Sequence, residues 1–270
     1  VISTKYTLVS RRGDPNAAGS QRKHMIQALE GSLKRLGTDY IDVYWVHAWD
    51  EFTPTEEVMR GLDDLVRAGK VLYVGVSDTP AWIVSHANTL AELRGWTPFV
   101  GLQARYSLVD RAVERDLLPM ARQFELAMTA WSVLGSGVLT GKYNRPESAP
   151  ADGRVAQWGG ASEHDLKLAE VVRQVAEEVG RSPSQVAINW VRQQQSRYHI
   201  PIIPILGARR AEQIQDNLAC LDFKLDEAQL ERLDKASQIN LGFPHDFLAS
   251  EEIRGIVYGR FYDRIDNHRR

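Results

Sequence analysis

Short apolar runs alternate with longer amphipathic stretches along the whole chain. The runs lie at 1–4, 40–46, 71–76, 99–103, 126–131 and 201–205. They are continuous rather than alternating, the pattern of strands covered on both faces of a parallel sheet. Between the first two, residues 22–37 place Met25, Ile26, Leu29, Leu33 and Leu36 at three-and-four spacing, which predicts an amphipathic helix. Residues 55–68 repeat the pattern with Val58, Leu62, Leu65 and Val66, and Gly37 and Gly69 supply the stops. Pro80 opens a third helix to about Leu93. Further helices are predicted over 115–124, 163–179, 183–194, 210–218 and 226–239.

Repeated βα units admit two architectures, a doubly wound open sheet or a (β/α) barrel. No Gly-x-Gly-x-x-Gly turn follows any run, which weakens the open nucleotide-binding sheet. Six strands also fall two short of a closed barrel. A long Gly/Pro/Ala/Ser-rich loop spans 144–162, and no linker divides the chain, so a single domain over 1–270 is expected.

Two polar residues stand out at the ends of apolar runs. Lys5 closes the first and His47 closes the second. In a barrel, the C-terminal ends of strands face the shared mouth where catalytic residues gather. An amine and an imidazole there point to proton transfer or carbonyl chemistry. Side chains alternate across a strand, so Tyr6 should face away from Lys5, and Tyr44 away from His47.

Composition narrows the classes without choosing one. A net charge of −2 favours neither nucleic acid nor an anionic membrane as partner. No apolar stretch approaches the roughly 20 residues of a membrane span, and residues 1–10 lack a signal peptide's charged start and apolar core. The single cysteine, Cys220, excludes an internal disulfide and fits a reducing, cytoplasmic setting. The histidines are scattered, with no His-Glu-x-x-His, Cys-x-x-Cys or Gly-x-Ser-x-Gly motif, so no metal site or hydrolase elbow is expected.

Several segments carry a family resemblance. Ser-Thr-Lys-Tyr at 3–6, Leu-Lys-Arg-Leu-Gly-Thr-Asp-Tyr-Ile-Asp-Val-Tyr-Trp-Val-His at 33–47 and Gly-Lys-Val-Leu-Tyr-Val-Gly-Val-Ser at 69–77 resemble the aldo-keto reductases. So do Gln-Ala-Arg-Tyr-Ser-Leu at 103–108, Trp-Ser-Val-Leu-Gly-Ser-Gly-Val-Leu-Thr-Gly-Lys-Tyr at 131–143 and Gly-Ala-Arg-Arg-Ala-Glu-Gln-Ile-Gln-Asp-Asn-Leu at 207–218. The Trp-Ser and Gly-Lys-Tyr elements are similar to the bacterial branch that also resembles the potassium-channel β subunits. The resemblance implies a (β/α)8 TIM barrel that binds NADP(H) without a Rossmann domain and reduces aldehydes or ketones. Its tetrad is Asp, Tyr, Lys and His. Lys5 matches the lysine and His47 the histidine. The family's Asp-Thr-Ala and Tyr-Gly elements would precede Val1, so the six strands correspond to strands three to eight, without the first two βα units.

The resemblance also implies a cofactor site. Ser77 and Gln103 would hydrogen-bond the nicotinamide carboxamide, with Asp78 beside them where the family commonly has Asn. Trp131 would stack on the nicotinamide. Ser132, Leu134, Gly135 and Ser136 would form the pyrophosphate loop, and Lys142 and Arg154 would add cations. Gly207 and Arg209 would begin a helix whose N-terminus receives an anion. Arg209 and Arg210 would read the adenosine 2′-phosphate, favouring NADP(H). Gln213 stands where many relatives carry arginine, which opens the site to NAD(H) as well. Asp216 and Asn217 would hold the adenine.

Three readings follow: a reductase of small carbonyl substrates whose N-terminal part precedes Val1, a cofactor-binding regulatory or sensor protein of the channel β-subunit kind, and an inert partial fold. Strand edges left open by the missing units would be hard to keep in solution, which favours the first. Residues 1–270 alone are then expected to turn over poorly for want of the tyrosine acid. Substrate identity and oligomeric state are open.

Overall fold

The six apolar runs pair as parallel strands. The structure, a computed structural model, describes residues 1–144 and 160–266. The strands are β1 (Ser3–Tyr6), β2 (Ile41–Val46), β3 (Val71–Ser77), β4 (Phe99–Arg105), β5 (Ala127–Trp131) and β6 (Ile202–Pro204). They lie side by side in chain order with no reversal, as consecutive staves of a barrel wall. A doubly wound sheet would reverse direction at a switch point. The expected α/β class with a parallel sheet holds.

Helices α1 (Arg22–Leu36), α2 (Thr55–Arg67) and α3 (Ala81–Arg94) follow the first three strands, and α4 (Leu117–Gln123) follows β4. Between β5 and β6 lie α5 (Glu163–Glu178) and α6 (Pro183–Tyr198); α7 (Ala211–Leu218) and α8 (Glu227–Ala236) come after β6. Local chemistry sets their limits. Ser162 with Asp165, Ser182 with Gln185 and Asp226 with Gln229 form reciprocal capping boxes at the starts of α5, α6 and α8. Gly37, at φ 65°, closes α1 by donating its N–H to the Leu33 carbonyl.

The helix expected over 115–124 splits into a 3₁₀ turn, Ala112–Glu114, and α4. Pro119 fits within the first turn of α4, where no intrahelical N–H bond is needed. Helix α8 stops earlier than 239 because the Arg111 guanidinium takes the Asp234 carbonyl (3.1 Å) and the Ser237 hydroxyl (2.8 Å).

One face of the sheet is apolar and covered. Tyr6, Tyr44, Val46, Val74, Val76 and Leu102 are buried there, in one core with Met25 and Leu29 of α1 and Val58 and Leu62 of α2. Cys220 is buried, as a small apolar side chain would be. The chain divides into two compact units, Val1–Ser237 and Gln238–Arg270, where the sequence pattern predicts one domain. The second unit carries α9 (His245–Ala249), α10 (Glu251–Tyr258) and a closing 3₁₀ turn, with the Tyr258 and Tyr262 rings 5.3 Å apart.

Candidate active site

Strand register lines up the other face in rungs. Lys5 pairs with Trp45, Trp45 with Gly75, Gly75 with Gly101, and Gly101 with Ala127. Paired residues in a parallel sheet share a face. The small residues of this rung receive the Trp45 indole, which is 5% exposed. A Cβ on Gly75 would lie 2.4 Å from Trp45 Cε3, and one on Gly101 would lie 3.0 Å from Cη2. The indole is therefore seated on bare backbone, and its Nε1 is buried without a partner among the described residues.

The next rung toward the C-terminal ends carries polar groups. Ser77 pairs with Gln103 and Gln103 with Thr129, and Gln103 Nε2 donates to Thr129 Oγ1 at 3.0 Å. His47 follows β2 directly. Its N–H donates to the Tyr6 carbonyl (3.1 Å), and its side chain shares the face of Trp45, two residues before. Lys5, His47, Ser77, Gln103 and Trp131 thus share one face of the sheet, as the alternation predicts.

Burial and charge shape this pair. Partial burial lowers the Lys5 pKa, and the Asp78 carboxylate opposes that shift. Burial also lowers His47, the Lys5 charge lowers it further, and Asp78 again opposes. The imidazole is therefore held neutral, as an N–H donor, across a wider pH range than usual. Tyr6 and Tyr44 face the helices, with their rings stacked 5.1 Å apart, and burial pushes both phenols up. Neither is a proton donor for Lys5 and His47.

Asp78 is more connected than its expected role as a carboxamide ligand required. It sits in the left-handed region at φ 43°, which Asp tolerates better than most residues. Its N–H donates to the Gln103 carbonyl (3.2 Å), its carbonyl accepts from Trp49 N (3.5 Å), and Oδ1 accepts from Trp131 Nε1 (3.2 Å). Arg105 lies over the Trp131 ring at 5.6 Å and pairs with Asp110 at 2.6 Å. Trp45, Arg105 and this second task of Asp78 were missed by sequence reasoning. Glycines inside β3 and β4 were the available signal for Trp45, since a strand glycine often marks a close approach.

The loop after β5 is turned on itself. Ser132 and Ser136 have φ of 59° and 56°. Gly135 N–H is spent on the Ser132 carbonyl and Gly137 N–H on that of Leu134, both at 2.8 Å, while the Leu134 side chain packs on the core. A Cβ on Gly137, at φ 97°, would meet Lys142 Nζ at 3.0 Å, so the lysine lies directly against the loop. Arg154 lies outside the described residues.

The segment after β6 corrects one expectation. Gly207 and Arg209 do not begin the helix: α7 starts at Ala211 with Arg210 as its extended N-cap residue. Gln213 reaches back to accept from Arg209 N at 2.8 Å, which holds Arg209 and Arg210 ahead of the first turn with both side chains exposed. Asp216 accepts from Ser182 Oγ (3.0 Å) and Gln185 Nε2 (2.7 Å), tying α7 to the start of α6, and Asn217 is buried beside it in sequence. Among the described residues no cluster of ligating side chains would hold a metal, and no helix is long and apolar enough to cross a membrane.

Comparison with known proteins places this geometry. The family model described as "Aldo/keto reductase family" matches residues 1–238. A Saccharomyces cerevisiae protein named provisionally as an aryl-alcohol dehydrogenase is 36% identical over 261 residues, covering 93% of this chain and 89% of its own length. An NADP(+) aryl-alcohol dehydrogenase of Phanerodontia chrysosporium is 37% identical over 260 residues, covering 91% of this chain and 66% of its own length. A norsolorinic acid reductase of Aspergillus flavus is 36% identical over 253 residues, with shares of 92% and 63%. The regulatory alternative gains no support from these relatives.

Proposed function

The chain belongs to the aldo/keto reductase family, and we propose that it is an NADP(H)-dependent oxidoreductase acting on a small aromatic aldehyde and its alcohol. The observation that carries this reading is the gathering of Lys5 and His47 on the face of the sheet that also holds Ser77, Gln103 and Trp131. The aromatic substrate class rests on the names of the relatives.

The residues present fit a nicotinamide dinucleotide. Ser77 and Gln103 offer a hydroxyl and an amide side by side for a carboxamide. Trp131 offers an indole face whose N–H edge is already held. Lys142 lies against the loop proposed for the pyrophosphate, and Arg209 and Arg210 stand exposed ahead of α7 for a 2′-phosphate. When bound, the cofactor supplies a hydride to the carbonyl carbon.

The chain's own groups then act on the carbonyl oxygen. Neutral His47 donates a hydrogen bond that orients it, and the Lys5 ammonium stabilises negative charge developing there. The proton comes from a positioned acid, a role that the family resemblance assigns to a tyrosine.

Two measurements test this. Titration of tryptophan emission with NADPH should show binding to residues 1–270, and R209A/R210A should weaken NADPH more than NADH. Equal losses would remove the 2′-phosphate assignment. NADPH-dependent reduction of an aryl aldehyde is expected once a segment carrying Asp-Thr-Ala and Tyr-Gly precedes Val1, and H47A should abolish it. Full turnover surviving H47A would overturn the site.

A further inference from the structure

Asp78 bridges the two sides of the proposed site. Its backbone is fixed from two sides, by Gln103 of β4 and by Trp49 beyond β2. The left-handed turn at φ 43° turns the chain out of β3 at this point, and the carboxylate holds the indole edge of Trp131 on β5. Its negative charge favours the protonated forms of Lys5 of β1 and His47 after β2, against the burial that lowers both. The carboxylate is exposed, yet the indole bond and the two backbone bonds give it a set position.

We propose that Asp78 is the positioning residue of this site, one carboxylate that pins the edge of Trp131 and supplies a counter-charge to the Lys5 ammonium beside the His47 imidazole. The proposal rests on the reading of Lys5 and His47 as the site's working pair, and it adds a task that carboxamide binding alone does not require. The Lys5 ammonium, half-buried beside a neutral imidazole, is favoured by a nearby counter-charge. Lys5, His47 and Asp78 are the charged and titratable groups that act on one another there. Trp131 is tied to the same carboxylate, so the face offered to a nicotinamide and the groups offered to a carbonyl oxygen are set by a single residue.

Asn and Ala separate the two tasks. Asn keeps an oxygen that can accept from the indole, suits the left-handed backbone and removes only the charge. Ala removes both. The experiment is an NMR titration of the His47 imidazole together with the Trp131 indole N–H resonance, assigned with H47Q and W131F. In D78N the His47 midpoint should move to lower pH while the Trp131 resonance stays near its wild-type position. In D78A both should move. K5Q should move the His47 midpoint the opposite way, to higher pH, and serves if D78A does not fold. An unchanged His47 midpoint in folded D78N overturns the proposal. The titration needs neither cofactor nor turnover, so a failed NADPH or aldehyde assay would count against the proposed function without touching this result.

Discussion

The two faces of one sheet are built by opposite rules. On the helix-covered face, Tyr6, Tyr44, Val74, Val76 and Leu102 are buried in a continuous apolar core. On the other, Lys5, His47, Ser77, Gln103 and Thr129 stand in successive rungs, with the Trp45 indole filling the level of Lys5. Neighbouring residues in one strand thus meet different fates. Tyr6 is pressed into the core and its phenol driven up by burial, while Lys5 next to it keeps partial contact with solvent and a counter-charge. The covered face supplies rigidity, and the rungs opposite inherit their spacing from it.

The sharpest way to break this comparison is to cut the covered face. Leu102→Ala removes a fully buried side chain and should cost about 2–5 kcal/mol in denaturant unfolding. A cost below about 1 kcal/mol would show that this face is not the core.

A smaller effect is expected on the open face, and of the opposite kind. Gly75→Ala puts a methyl group into the Trp45 ring and should cost about 1–3 kcal/mol by overpacking. Trp45→Leu in the same chain should recover part of that loss. Additive losses in the double variant would mean the indole does not rest on Gly75.

The stacked tyrosines give a finer test. Tyr44 donates to the Met25 carbonyl at 3.0 Å, so Tyr44→Phe should cost about 0.5–1.5 kcal/mol. Tyr6 has a buried hydroxyl without a partner among the described residues, and Tyr6→Phe should cost nothing or stabilise slightly. Equal losses in the two variants would show that the Tyr6 hydroxyl is satisfied.

The smallest effect is a slope in pH. The folded pKa of His47 lies below its ordinary 6.5, so between those two values the unfolded chain binds more protons than the folded one. Its contribution to stability must therefore rise as pH rises through that window and level off above it. Thermal unfolding across mildly acidic pH should show the slope, and His47→Gln should flatten it. A slope identical in the variant would assign it to other groups.

Alternation within each strand, a local pattern of period two, already separated Lys5 from Tyr6 and His47 from Tyr44. The helices were equally legible, because apolar spacing and glycine stops are local signals, though Ser237 shows that a helix end can be set by an arginine far away in sequence. The family resemblance added the candidate cofactor residues, but its helix start at Gly207 and Arg209 failed, because Gln213 folds back onto Arg209 and the helix begins at Ala211, within one residue of the local pattern.

The sequence by itself determined the order of strands and helices and which side chains share a strand face, since each follows from contacts within a few residues. Only the tertiary structure decided which residues stand level across strands. A register shift between Val74 and Gly75 aligns β3 with β4, and that alignment puts the two glycines under Trp45 and Ser77 beside Gln103. The bond from Asp78 to Trp131 joins residues 53 positions apart. No local pattern encodes such a distance. It is fixed by how the covered face packs, because the rungs opposite can align only where that packing holds the strands.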